Sequence, residues 1–399
     1  MNFEKLGNIA EIKTGKYDVN HSSEDGKYPF YTCAIGQFKS PTFSFEGESI
    51  ILPGNGANVG EVFFNKEGKF EAYQRTYVIQ NIKENPKYLY YFFKSNWKRS
   101  LTNSQYGSAT NYIRLNNIID FKIPIPTLSY QLHITNILTK AENLISQRKE
   151  SIRILDEYLK STFLEMFGNP GTNPYKWKIG KLEASFLDKP LIGSMVPAIE
   201  TGTIPIVRVG EIGGREINYA KCKYSNLNAE ELRKYYLKNG DILLARAIGS
   251  EVHLGKASIF NDRGFPVVYD SHVMRIRFDI KKMHPEFFYT FLQTNGGRKR
   301  FMRKAGQTAI QFNINSKQIS DIDIPMPPIE LQNHFALIVE KTEALKTHYK
   351  NSLAELENLY DCLSQKAFRG ELSFKDEGLM IAAEPEAPHS VHLLENLSE

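Results

Sequence analysis

The chain has 399 residues, 41% of them hydrophobic and 12% aromatic, so two or three packed domains are expected and wholesale disorder is excluded. No apolar run reaches about 18 residues, and Met1 to Lys16 lacks an apolar core, so neither a membrane span nor a secretory signal is expected and the cytoplasm is favoured. Cys33, Cys222 and Cys362 stand far apart with no CxxC pair, which argues against a structural zinc site or a disulfide framework, and no metal is expected. The net charge of +5 conceals an asymmetry: residues 376–399 hold six acids and no Lys or Arg, so the other 375 residues carry 50 basic and 39 acidic side chains, a net of +11. A body this basic is compatible with a polyanionic partner. Residues 375–399, with Pro385 and Pro388, read as a flexible acidic tail.

In chain order, residues 1–126 form a first globular stretch. Ser49 to Leu52, Glu61 to Phe64 and Thr76 to Gln80 are rich in β-branched and aromatic residues between turn formers and read as strands, while Pro86 to Trp97 reads as a helix begun by proline. Residues 127–171 follow. Ser129 to Phe167 contains no Gly or Pro over 39 residues, and Gly168-Asn169-Pro170-Gly171 stops it. Steps of four and three through it meet Ile134, Leu138, Ala141, Ile145, Arg148, Ile152, Leu155, Leu159, Thr162 and Met166, the stripe of a long amphipathic helix. In the second globular stretch, 172–327, strands are expected at Ile204 to Val209, Asp241 to Ala245, Ala257 to Phe260 and His272 to Phe278, with a helix over Pro285 to Thr294. Within the last strand Arg275 and Arg277 alternate with apolar residues and read as its outer face. Residues 328–374 repeat the long helix: Ile329 to Arg369 has no Gly or Pro, and its seam runs Phe335, Ile338, Thr342, Leu345, Tyr349, Ser352, Leu356, Leu359, Leu363 and Lys366. Leu144, Phe163, Phe167, Leu337, Leu353 and Tyr360 fall off the two seams, as a docking surface or as a broader core.

The halves are copies. Asn85 to Phe93 returns as Met283 to Phe291, with Pro86 and Pro285 separated by 199 positions. Gly107, Ile113 and Leu115 return as Gly306, Phe312 and Ile314; Phe121 to Pro126 returns as Ile322 to Pro327; and Gln131 returns as Gln332. The expected fold is therefore α+β: two homologous domains, dominated by antiparallel strands, separated by two long antiparallel coiled-coil-like helices in a pseudo-twofold internal repeat.

This order of globular domain, Ile-Pro-x-Pro with a following Gln, long helix, and the same again resembles the specificity subunit of type I restriction-modification systems over residues 1 to about 374. The proline-Gln segments (Ile123 to Gln131, Ile324 to Gln332) and the helix end Ala367-Phe368-Arg369-Gly370-Glu371-Leu372 carry most of the likeness. The first helix departs from it, ending Phe163-Leu164-Glu165-Met166-Phe167-Gly168. The resemblance implies two target-recognition domains joined by conserved spacer helices, in a subunit that selects an asymmetric bipartite site in double-stranded DNA and does no chemistry. It implies two partner methyltransferase subunits, which bind S-adenosylmethionine and methylate adenine N6, and motor-nuclease restriction subunits held through them. No cofactor is then expected in this chain, and no membrane partner. The residues agree: there is no Asn-Pro-Pro-Tyr segment of an adenine methyltransferase, and the nearest approach to a phosphate loop, Ser250 to Ala257, lacks its first Gly and its final Ser or Thr. Gly54 to Gly60 precedes a strand rather than a helix and reads as a hairpin turn. Glu67 and Lys69 read as solvated turn residues.

Asn and Gln pair bidentately with adenine and Arg with guanine, so Gln105, Asn111 and Arg114 in the first domain and Gln307 and Gln311 in the second are the base-reading candidates, with Asn55, Asn58 and Arg246 behind them. Arg298, Lys299, Arg300, Arg303 and Lys304 form the densest basic cluster and suit phosphate contacts. Two rival classes are a scaffold that binds two proteins without touching nucleic acid and a stand-alone methylating enzyme.

Overall fold

The computed structural model describes residues 2–36, 38–101, 111–248, 253–307 and 312–373; the acidic tail lies outside them. The chain divides into two compact units, Met1–Glu150 with Lys350–Glu399 and Ser151–Tyr349, so the division cuts through both long helices rather than setting them apart as bodies of their own.

The first unit opens with β1 (Asn2–Lys5), α1 (Leu6–Ile9) and β2 (Glu11–Thr14). There follow β3 (Tyr28–Tyr31), β4 (Phe38–Ser40), β5 (Phe45–Glu46), β6 (Ser49–Pro53), β7 (Phe63–Asn65), β8 (Lys69–Ala72), β9 (Thr76–Gln80), α2 (Pro86–Ser100), α3 (Leu115–Ile119), β10 (Lys122–Ile125) and α4 (Leu128–Phe167). Two four-stranded sheets, of order β2-β9-β6-β7 and β4-β3-β8-β5, are antiparallel except for the β3–β8 pair, and β1 pairs with β10. Successive residues of the middle strands enter two different cores: Ile50, Leu52 and Ile79 meet α2, while Ile51 and Val78 meet Phe45 and Phe70. Both faces being buried, these strands read as continuous apolar runs.

The second unit repeats the plan with β11 (Ile179–Lys181), β12 (Phe186–Ile192), β13 (Ile204–Val207), β14 (Lys223–Ser225), α5 (Ala229–Tyr235), β15 (Ile242–Ala245), β16 (Ala247–Ile248), β17 (Ala257–Ile259), β18 (Val268–Tyr269), β19 (Val273–Phe278), α6 (Pro285–Gln293), α7 (Asn295–Met302), β20 (Gly306–Gln307), β21 (Phe312–Asn313), α8 (Ser316–Ser320), β22 (Asp323–Pro325) and α9 (Ile329–Arg369). Sheet β12-β19-β15-β17 matches β2-β9-β6-β7; β14-β13-β18, with β13 and β18 parallel, matches β4-β3-β8; and β11–β22 matches β1–β10. The additional residues of this copy include α5 and the turns before it.

The structure corrects one reading of β19. Arg275 and Arg277 are buried, at 6% and 9% exposure, not on an outer face. They leave β19 on the side of Val273, towards the second core, where Arg277 meets Asp241 at 2.7 Å and Asp188 at 2.9 Å.

The repeated glutamine has a structural task. Gln131 Oε1 accepts the N–H of Asn85 at 3.0 Å, just before α2, while its Nε2 donates to Pro126 O; Gln332 Oε1 accepts the N–H of His284 at 2.9 Å, just before α6, and its Nε2 donates to Pro327 O. Each buried amide thus ties the start of a domain helix to the turn that begins a long helix. Gln131→Ala and Gln332→Ala are each expected to cost about 1–3 kcal/mol, because a buried backbone donor and acceptor lose their partner; thermal denaturation of the two variants checks this.

The long helices fulfil the seam in part. Ile134, Leu138, Phe335, Leu356 and Leu363 are buried, and Ile145, Ile152, Leu155, Leu159, Ile338 and Leu359 half-buried. Leu345, in contrast, is 41% exposed. A straight α-helix drifts about 20° per heptad from a 3.5-residue repeat, and here the neighbouring Lys346 turns inward to pair with Asp156. In the first unit Glu142 meets Tyr360 and Lys149 meets Glu357; in the second Asp156 meets Lys346 and Phe163 meets Phe335. Within each unit the two helix segments therefore run antiparallel. Of the off-seam residues, Leu144, Phe163 and Phe167 are buried in the domain cores, Leu353 and Tyr360 are half-buried, and Leu337 is exposed.

Candidate nucleic-acid interface

In each domain three segments meet at the end of a central strand. In the first, β6 runs into Gly54, whose N–H donates to Arg75 O at 2.9 Å and whose carbonyl accepts from Ile113 N at 3.0 Å; Gly56 N donates to Asn111 O, and Asn55 bridges Tyr112. Arg75 belongs to the tight turn Tyr73-Gln74-Arg75-Thr76, closed by Thr76 N donating to Tyr73 O at 2.8 Å. In the second domain Arg246 N donates to His272 O at 3.0 Å, Ile314 N to Arg246 O at 2.9 Å, and Ala247 pairs with Asn313. His272 lies on the matching turn, closed by Val273 N and Asp270 O. Gly15 and Gly193 hold the adjoining strand against these turns. A Cβ at Gly15 would stand 1.7 Å from Ala72 O and one at Gly193 2.3 Å from Asp270 O, so no other residue fits without a backbone shift.

The first domain encloses here a cleft of about 350 Å³ lined by Thr14, Gly54, Asn55, Gln74, Arg75, Tyr77, Tyr112 and Ile113. Gln74 and Arg75 are exposed; Gln74 Nε2 donates to Asp18 at 3.2 Å, whereas the Arg75 guanidinium has no hydrogen bond or ion pair among the described residues. In the second domain His272 is exposed with Nδ1 3.4 Å from Asp270, whose carboxyl burial holds above its usual range.

Of the predicted base readers, Asn55 and Asn111 stand at this convergence and Arg114 just beyond it, with its N–H donating to Asn117 at the start of α3. Asn58 turns inward, donating to Cys33 O at 2.8 Å. Arg246 reaches the right place, but its Nη1 donates to Ser271 O at 3.0 Å and its Nε to Ile314 O at 3.5 Å. Gln307 lies in the short β20; Gln105 and Gln311 lie outside the described residues. The predicted phosphate cluster divides. Arg298 donates to Leu254 O, Arg300 to Pro170 O, and Lys304 pairs with Asp321, so these three hold the fold together. Lys299 and Arg303, one turn apart at the end of α7, are exposed. Sequence reasoning passed over Gln74, Arg75 and His272. The available signal was the repeat itself, because both turns immediately precede matching strands.

The loop from Gly54 to Gly60 links the antiparallel β6 and β7, and no helix N-terminus follows it. Among the described residues, no group of three or more His, Cys, Asp or Glu side chains is placed to hold a metal, and no helix is long and apolar enough to cross a membrane.

The type I restriction modification DNA specificity domain matches residues 1–153 and 195–358, and the chain belongs to that family. Among its relatives, the type I restriction enzyme EcoDI specificity subunit of Escherichia coli is 25% identical, covering 92% of this chain and 88% of the relative. The EcoKI specificity subunit of Escherichia coli K12 is 23% identical over 72% of this chain and 65% of its own length. The MjaVIII specificity subunit of Methanocaldococcus jannaschii is 25% identical over 72% of this chain and 70% of that one. Two solved structures share the fold. One is the S subunit of a type I restriction-modification system from M. genitalium, with TM-score 0.58 and 16% identity over 92% of this chain and 96% of that one. The other, from a study of complex assembly and conformational transition of the type I R-M system, has TM-score 0.55 and 15% identity over 93% and 98%.

Proposed function

We propose that this chain is the non-catalytic, sequence-reading subunit of a type I restriction-modification complex. Each domain reads one part of an asymmetric bipartite site in double-stranded DNA, and α4 with α9 form the pseudo-twofold, coiled-coil-like connector that fixes the gap. The observation that carries this reading is the repeat of one backbone framework whose turn residues differ: exposed Gln74 and Arg75 in one copy, half-buried Ser271 and exposed His272 in the other. A shared scaffold with unlike side chains suits two unlike half-sites. Lys299 and Arg303 suit phosphate contacts. Two methyltransferase subunits dock on the helices, where Leu128, Leu132, Ile154, Leu164 and Leu337 remain exposed, and restriction subunits join through them. S-adenosylmethionine belongs to those methyltransferase partners, and the reading places this chain in the cytoplasm.

Affinity of the assembled complex for a cognate duplex is expected to fall with salt, with a log–log slope near −0.9 per phosphate neutralised, and six such contacts would remove about three decades between 50 and 200 mM salt. A titration against cognate and scrambled duplexes checks this. Binding indifferent to both salt and sequence would overturn the proposal in favour of a protein scaffold.

A further inference from the structure

The two domains repeat one set of backbone bonds but differ in what occupies the space those bonds frame. In the second domain the space holds the Arg246 side chain, donating to the carbonyls of Ser271 and Ile314. The residue at the same place in the first domain is Gly54, and the pattern of bonds makes Gln74 and Ile113 the counterparts of those two carbonyl residues, which corrects the register read from spacing: Ile113 matches Ile314, not Phe312. A side chain cannot enter there from the backbone: a Cβ on Gly54 would lie 2.4 Å from Arg75 O and 2.9 Å from the Tyr77 ring. Ile113 O is instead satisfied by the Tyr77 hydroxyl at 3.2 Å. The first domain therefore keeps open the volume that the second fills with its own guanidinium.

What lines the opening is suited to a planar polar group from outside. Thr14 and Asn55 supply hydroxyl and amide groups, Tyr112 an aromatic ring, and Arg75 a guanidinium without a partner among the described residues. Asp18 is occupied with Gln74. At about 350 Å³ the cleft stands near the lower limit of small-molecule sites, which fits the edge of one base rather than a whole extruded nucleotide.

We propose that this cleft is a base-edge site peculiar to the first domain, and that Arg75 is its specificity-determining residue, pairing in bidentate fashion with O6 and N7 of a guanine in the major groove. The planar guanidinium fork presents two pre-organised donors to both acceptors at once, which a flexible lysine ammonium does less selectively. In the second domain the matching turn position is His272, beside Asp270, and the cleft is filled; that domain reads its half-site by other contacts. The inference rests on the DNA-reading function proposed above.

The test uses the full chain assembled with its methyltransferase subunits, a library of duplexes randomised over the target, and methylation as readout, for the wild type, Arg75→Ala, Arg75→Lys and Arg303→Ala. A wild-type complex that selects no sequence would remove the DNA-reading function itself, whatever Arg75 does. Given selection by the wild type, Arg75→Ala is expected to lower preference for guanine at one position of one half-site about ten- to a hundredfold, leaving the other positions intact. Arg75→Lys should lose most of that preference while keeping the salt slope, since it retains the charge without the fork. Arg303→Ala should weaken all sequences alike. The proposal is overturned if Arg75→Ala leaves the selected sequence unchanged, or if it weakens all sequences uniformly and makes the salt slope shallower by about one, the mark of a phosphate contact.

Discussion

Asp241→Ala is expected to destabilise the second domain by about 3–5 kcal/mol, the usual cost of stranding a buried charge. Asp241 is 1% exposed, and its two oxygens accept from Nε and Nη2 of Arg277 at 2.7 Å each; Oδ2 also accepts the N–H of Lys238 at 2.7 Å. Without it, Arg277 retains Asp188, whose side chain is 48% exposed, and a long contact to Tyr236 O. The guanidinium would then be left largely desolvated between β19 and the second sheet. The exposed Lys5–Asp120 pair joins β1 to the turn before β10 with more than half of each side chain in water, and Lys5→Ala is expected to change stability by less than about 1 kcal/mol. Chemical denaturation of the two variants gives the comparison. A small loss for Asp241→Ala would mean that water reaches Arg277, and the burial argument would fail.

That network also marks where sequence reasoning stops. Alternation along His272 to Phe278 correctly indicates a strand, but its polar positions cannot say whether water or a second sheet lies opposite. Partner carboxylates 36 and 89 positions away make the second outcome tenable. The long helices were legible because freedom from Gly and Pro is a local property, and α9 spans Ile329–Arg369 as its composition predicts. Edges of strands were less so: Ile204 to Val209 ends at Val207 because Val209–Glu211 coils into a 3₁₀ turn, and Glu61 to Phe64 begins only at Phe63. Charge density misled for the same reason as alternation. Five basic residues in seven look like one patch, yet Arg300 finds Pro170 O, 130 positions away, and Lys304 finds Asp321. The turn carrying Arg75 was written in the repeat, but only the backbone bonds of Gly54 and Arg246 reveal that Arg75 and His272 hold equivalent places.

The departure of the first helix end from the second becomes a packing statement, and with it the other large effect. Phe163 is fully buried, its ring centroid 4.9 Å from Phe167 and 5.5 Å from both Phe287 and Phe335. At the corresponding positions the first unit buries Leu363, Ala367, Tyr88 and Ile134. In each unit, then, the end of one long helix and the beginning of the other clasp the domain helix between them; the domain helix offers an aromatic ring in both, Phe287 or Tyr88, met by Phe163 and Phe167 in one copy and by Phe368 in the other. Phe163→Ala would remove the ring that touches all three neighbours, at a cost of about 3–5 kcal/mol from lost transfer energy and a residual cavity. Leu164→Ala, at an adjacent position that is 43% exposed, should stay within about 1 kcal/mol. If α4 is anchored to the second domain through this cluster, Phe163→Ala should also speed amide exchange at the α6 backbone while leaving α2 protected. Loss of protection in α2 to the same degree would show that the clasp does not act within its own unit.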